Sequence, residues 1–273
     1  MKKIGILFLG LISVLSFSQN TRFVYQVSMK TDSTAAPKIE NAYLDISTEK
    51  SIFYGEKRMK RDSTIRQAME TRNFNFDRNS MEQFRTAITY SIEKNHATKT
   101  ISYKDRIARD QYWYDEDRTF NWKILPETVK IGEYETQKAE TTFAGRKWFA
   151  WFTQDLPFID GPYKFSGLPG LIVKVEDEKG DYSFDLKETK KIAELPNFES
   201  RFGNNIKVKR SEFLKQQEKF NKDPMSFFQN QGGGFAMRMG GNQNPQNEAE
   251  RRKMMEERLK EEAKANNNPL EKN

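Results

Sequence analysis

Cysteine is absent from all 273 residues, and histidine occurs once, at His96. Without a thiol the chain forms no disulfide, no cysteine nucleophile and no lipid-modified N-terminal cysteine. A zinc site of the usual nitrogen and sulfur type lacks the ligands to assemble. A Ser-His-Asp device would depend on His96, which lies in the polar stretch EKNHATK and reads as a surface turn residue. Charge of one sign is also missing. The 46 basic and 39 acidic residues are interspersed, and a net charge of +7 without a basic cluster suits a solvated β surface rather than nucleic acid. Long apolar runs are limited to Ile4–Phe17.

That one run has a job. Lys2 and Lys3 precede it, and Ser16-Phe17-Ser18 offers a small-x-small cleavage site before Gln19. Residues 1–18 are expected to be a secretory signal peptide, too short for a membrane span, which directs the chain to the periplasm or beyond the cell. With no disulfides available, residues 19–221 must be held by their own core, and that length suffices for one.

Alternation dominates the exported part. Phe23, Tyr25, Val27 and Met29 share one face of RFVYQVSM, and Leu44 and Ile46 share one in AYLDIS. Ile88, Tyr90 and Ile92 repeat the pattern, as do Phe120, Trp122 and Ile124, then Tyr182, Phe184 and Leu186. Period two with polar residues between predicts half-buried antiparallel strands. The expected fold is mostly β (α+β): one large twisted antiparallel sheet, half-barrel-like in the manner of periplasmic lipoprotein carriers, with one or two short helices. Ser211–Phe220 is the clearest helix, with Ser211 as its expected cap and Phe213 and Phe220 facing the sheet. Residues 222–246 form a Gly, Asn and Gln-rich linker, and residues 247–273 a charged helix and tail, the helix expected to be detached or lightly docked.

Glycine and proline are scarce but crowd one place. GPYKFSGLPG, Gly161–Gly170, holds three of the 15 glycines and two of the 9 prolines, just before the apolar LIVKV. Pro169-Gly170 predicts a type II turn, with Leu171, Val173 and Val175 on the core face and Phe165 and Leu168 buried below. The passage reads first as a rigid corner of the sheet and second as a binding edge.

The segment Gly132–Asp177 closely resembles the signature region of the GLPGLI family, named for the hexapeptide that stands here as Gly167-Leu168-Pro169-Gly170-Leu171-Ile172. Gln137-Lys138-Ala139, Gly145-Arg146, Gly161-Pro162-Tyr163-Lys164-Phe165 and Asn268-Pro269-Leu270-Glu271 are similar to its pattern. Thr136 stands where many members carry a cysteine. The resemblance implies an exported Bacteroidetes protein of undefined function, linked to TonB-dependent outer-membrane receptors.

The expected function is therefore that of a non-enzymatic accessory or binding protein of the cell envelope, taking an envelope protein, peptide or lipid. Trp148, Trp151, Tyr163, Phe165, Gly167, Leu168, Pro169 and Gly170 are its candidate binding residues. Trp148 and Trp151, three apart, face opposite sides of a strand. The alternative is a glycan-active hydrolase using Asp155 and Asp160, since paired carboxylates beside aromatic platforms are what a glycosidase needs. Asp160→Asn is expected to leave the fold intact if Asp160 is a turn former. No cofactor and no metal are expected. The acidic triplets Asp115–Asp117 and Glu176–Glu178 read as hairpin turns, and Met237-Arg238-Met239 lies in low-complexity chain.

Overall fold

The structure, a computed structural model, describes residues 20–73, 83–198, 203–224, 226–227 and 245–272. The signal-peptide segment, the Met237-Arg238-Met239 motif and most of the Gly, Asn and Gln-rich linker lie outside them. Twelve strands form one sheet. They are β1 (Asn20–Met29), β2 (Lys38–Ile46), β3 (Lys50–Gly55), β4 (Ser91–Asn95), β5 (Ile101–Ile107) and β6 (Asp110–Asp115). After these come β7 (Lys123–Ile131), β8 (Tyr134–Phe143), β9 (Arg146–Thr153), β10 (Leu171–Asp177), β11 (Tyr182–Ile192) and β12 (Asn205–Lys207). The sheet is open, in the order β12-β6-β5-β4-β3-β2-β1-β11-β10-β9-β8-β7. Every neighbour is antiparallel except β12 on β6. The first strand is thus central, joining the β2–β6 half to the β7–β11 half.

Alternation places the core. Phe23, Tyr25, Val27 and Met29 are buried on the inner face beside Leu44, Phe53, Trp148, Ala150, Phe152 and Phe184. On the outer face a buried charge is held by paired polar groups. Asp45, fully buried, accepts bonds from Arg22 Nε and Nη2 at 2.7 and 2.8 Å and from the Tyr54 hydroxyl at 2.6 Å.

The sequence pattern departs from the structure in three stretches. Phe120 and Trp122 precede β7 and belong to no strand; their rings stack 5.9 Å apart and pack on Phe165. Ile88 and Tyr90 likewise precede β4. A register shift between Ile172 and Lys174 breaks the alternation of β10, so Leu171, Ile172 and Val175 join the main core while Val173 is buried outside it. A bulge adds one residue to a strand and turns the following side chains over, which period two alone does not reveal.

Among the described residues three longer helices accompany the sheet: α1 (Glu56–Thr71), α2 (Arg210–Lys222) and α3 (Pro245–Lys264). α2 begins one turn position earlier than expected, with Lys209 as its N-cap and no side-chain cap bond, so Ser211 is not the cap. Its Phe213 is buried against Tyr103 and Tyr114 at ring distances of 5.5 and 5.3 Å.

The passage between β9 and β10 is what the sheet wraps around. Phe165 is fully buried, with its ring 4.8 Å from Trp148 and 6.2 Å from Phe184. Tyr163 stacks on Phe184 and meets Tyr90 edge-on, while Lys164 Nζ lies 5.0 Å over Tyr103 and 5.1 Å over Tyr114. Three consecutive residues therefore touch β5 and β6 on one side and β9 and β11 on the other. The corner is an internal plug, and the aromatic and cation–π contacts hold the curved sheet on it.

The C-terminal end is held more firmly than the detached or lightly docked segment expected. Asn268 is buried, and Leu270 packs against the main core. The Asn268 amide donates to Thr31 O and the Lys272 amide to Ala144 O, both at 2.8 Å. Periodicity could not show this, because the segment has no regular secondary structure and is held by isolated backbone bonds and by side chains.

Candidate ligand-binding site

A cleft of about 670 Å³ opens where the plug meets the turns at one end of the sheet. The β2–β3 turn contributes Ile46, Ser47 and Thr48, and the end of β4 with its hairpin turn contributes Lys94, His96, Lys99 and Ile101. The plug supplies Pro157, Phe158, Ile159, Asp160, Ser166 and Gly167. Ile159 is 69% exposed at the lip, unusual for a large apolar side chain, while Phe158 is anchored on Phe23 with rings 5.3 Å apart. Short turn bonds shape this wall: Phe158 N–H donates to Leu156 O and Asp160 N–H to Phe158 O, each at 2.8 Å. Both link residues two apart, the γ-turn spacing.

The floor is charged. Lys94 Nζ donates to Asp160 Oδ1 at 2.5 Å, to Gly161 O at 2.6 Å and to Phe165 O at 2.9 Å, spending all three ammonium donors on the plug. Burial pulls the Lys94 ammonium below its ordinary value against the attraction of Asp160. Burial works to raise Asp160, but Lys94 and His96 outweigh it and leave the carboxyl below its usual range. His96 is not an unpartnered turn residue. Its Nδ1 lies 3.2 Å from Thr48 O, and its Nε2 faces Asp160 Oδ2 at 3.8 Å. The bond to Asp160 raises the imidazole above its ordinary value, with burial opposing.

The sequence-predicted residues fall into two groups. Trp148, Tyr163, Phe165, Leu168 and Gly170 are buried in the plug or under it, whereas Gly167 and Pro169 are exposed and Trp151 is half-buried on the outer face. Gly167 is the member of that set which lines the cleft. Asp155 is exposed and takes no part in the Lys94–Asp160–His96 cluster. Asp160 is an ionised anchor with both oxygens engaged, so Asp160→Asn would strand a buried ammonium instead of leaving the fold intact.

The Pro169-Gly170 turn also differs from type II. Gly170 N–H donates to Leu168 O at 2.8 Å, a γ-turn bond centred on Pro169, and Gly170 has φ +151°. Nor are the acidic triplets simply turns. Glu116 is buried against Lys164 at 2.6 Å and Arg118 at 2.7 Å, and Asp177 accepts from Arg146 Nη1 and the Tyr182 amide.

An open antiparallel sheet closed on its own β9–β10 plug, with a cleft beside that plug, defines the class of molecule. A model of one uncharacterised family found in Bacteroidetes, described as "Protein of unknown function (Porph_ging)", matches residues 141–174, which run from β8 through the plug into β10. No curated protein matches the chain. Two solved structures of PNGF-II, in space groups P21 and C2, match with TM-scores of 0.52 and 0.53 at 18% and 17% identity. Each covers 72% of this chain, which spans only 33% and 32% of theirs, so the likeness is one of fold over about a third of PNGF-II. The crystal structure of the LolA superfamily protein NE2245 from Nitrosomonas europaea matches at 10% identity and a TM-score of 0.28, over 66% of this chain and 88% of its own. No helix among the described residues is long and apolar enough to cross a membrane.

Proposed function

We propose that this is an exported binding protein of the cell envelope, without enzymatic activity, that holds an apolar molecule bearing an acidic end. The cleft carries the reading. Its volume lies within the range of small-molecule sites, its walls offer Ile46, Ile101, Phe158 and Ile159, and its cationic side chains outnumber the lone Asp160. Lys99 and His96 stand at the open side, where an acidic group would meet them, while Lys94 is already committed. Export rests on residues 1–18, read as a signal peptide.

The test is titration of the full mature chain with a fluorescent fatty acid. Saturable binding is expected, weakened about tenfold or more by Ile159→Asp and by Lys99→Glu, changes at exposed positions that leave the core alone. Equal binding by the wild type and both variants would sink the cleft as the site. N-terminal sequencing of protein from the envelope fraction should begin at Gln19; a full-length chain would overturn the export reading. Recovery of a TonB-dependent receptor in a pull-down from that fraction would supply the partner implied by the family resemblance.

A further inference from the structure

The contacts of the last described residues resemble those of a bound peptide more than those of a tail. Arg146, buried at the start of β9, donates Nη2 to Asn268 Oδ1 at 2.7 Å and to Pro269 O at 2.8 Å, and Nε to Leu270 O at 3.0 Å. Asp177 fixes that guanidinium from behind at 2.7 Å. The Tyr182 hydroxyl donates to Asn268 O, and the Asn268 side-chain amide donates to Lys30 O at 2.7 Å. Glu271 then enters a cationic recess. One oxygen takes Lys164 Nζ and the Tyr163 hydroxyl, and the other takes Arg118 Nη2 at 2.7 Å and Arg210 Nη2 at 3.4 Å.

Three side chains of the tetrapeptide are thus met by their own chemistry, an amide pair for the asparagine, apolar core for the leucine and cations for the glutamate, while Arg146 holds the backbone carbonyls of the proline and leucine. No strand pairing contributes. The backbone bonds of Asn268 to Thr31 O and of Lys272 to Ala144 O would form with any sequence, whereas the contacts to the Asn268, Leu270 and Glu271 side chains depend on it. We propose that the groove between Arg146 and Lys164 is a sequence-reading peptide site for Asn-Pro-Leu-Glu, filled here by the chain's own residues 268–271. The site is separate from the cleft and does not rest on its ligand.

The test uses the full-length chain carrying Asn268→Ala and Glu271→Ala, which weakens the resident segment. A fluorescein-labelled peptide of the native sequence of residues 265–273 should bind this variant saturably. It should bind the wild type about tenfold more weakly or worse, because the resident segment keeps most grooves filled. The same peptide carrying Glu271→Lys should lose binding. A folded variant that takes up neither peptide, or takes both equally, overturns the proposal. Should the variant not fold, amide hydrogen exchange of the wild type decides. The Asn268 and Lys272 amides should exchange at least about tenfold faster than the β1 amides if the segment leaves while the sheet stays. Equal rates would make the segment ordinary core and end the proposal.

Discussion

Gly167 and Gly170 stand three residues apart in one loop and answer to different constraints. A Cβ at Gly170 would sit 2.0 Å from Thr153 O and 2.7 Å from its carbonyl carbon, so backbone must move. At Gly167, φ is +92° but no atom lies within 4 Å of a Cβ, leaving only backbone strain. Gly167→Ala should therefore cost about 1–2 kcal/mol, and Gly170→Ala about 3 kcal/mol or more, in chemical denaturation. Equal costs would mean that close approach is not what selects glycine at 170. Asp160→Asn should cost about 3–5 kcal/mol, because it removes the counter-charge of the buried Lys94 in the floor of the cleft; a loss under about 1 kcal/mol would show that the pair is not the anchor described. The single histidine gives a clean probe of the same cluster. The His96 ring resonance should titrate above its ordinary 6.5, and a midpoint at or below that value would contradict the contact with Asp160. Because its folded value is raised, the contribution of His96 to stability is present below 6.5 and lost as pH climbs through the folded value. Glycine was legible at both loop positions from turn chemistry. Its reason at 170 was not, since Thr153 belongs to β9 and no local rule announces its carbonyl. Lys94 and Asp160 lie 66 residues apart, and a lysine in an alternating strand gives no sign of pointing inward.

Among elements, the strands were readable wherever one face is wet, because period two survives there. It failed at Phe120 and Trp122, whose spacing suits a strand but whose rings serve the plug. α1 left no trace in the periodicity: its buried residues are Arg58 and Ala68, so no apolar stripe exists to be read. The C-terminal segment was flagged only by its resemblance to a family pattern, and the structure gives that pattern a physical basis in Arg146 and Lys164. Glu271→Gln keeps the shape and removes the charge opposite Lys164, Arg118 and Arg210. It should cost about 1.5–3 kcal/mol while far-UV circular dichroism stays unchanged. A neutral substitution would place that segment outside the energetics of the fold.

For the whole molecule, the buried carboxylates set the acid limit. Burial works to raise Glu116, yet Arg118 and Lys164 bring it from 4.5 down to about 2, and Glu271 is lowered by Lys164 and Tyr163 against the same opposition. Groups lowered on folding contribute fully above their ordinary value and lose that contribution as pH falls through the folded one. Urea midpoints should therefore hold near neutrality and drop steadily from about pH 4.5 toward about 2. A flat profile through that window would mean the ion pairs add nothing. The central position of β1 bears on how the molecule comes into being. Among the described strands it stands first in the chain, and β2 can cover one side of it at once. Its other side waits for β11, which begins only at Tyr182. A chain folding from its N-terminal half therefore carries an uncovered strand edge until β11 pairs, the condition under which partly folded chains stick to one another. Such a chain depends on being kept apart from its neighbours until its last long strand arrives.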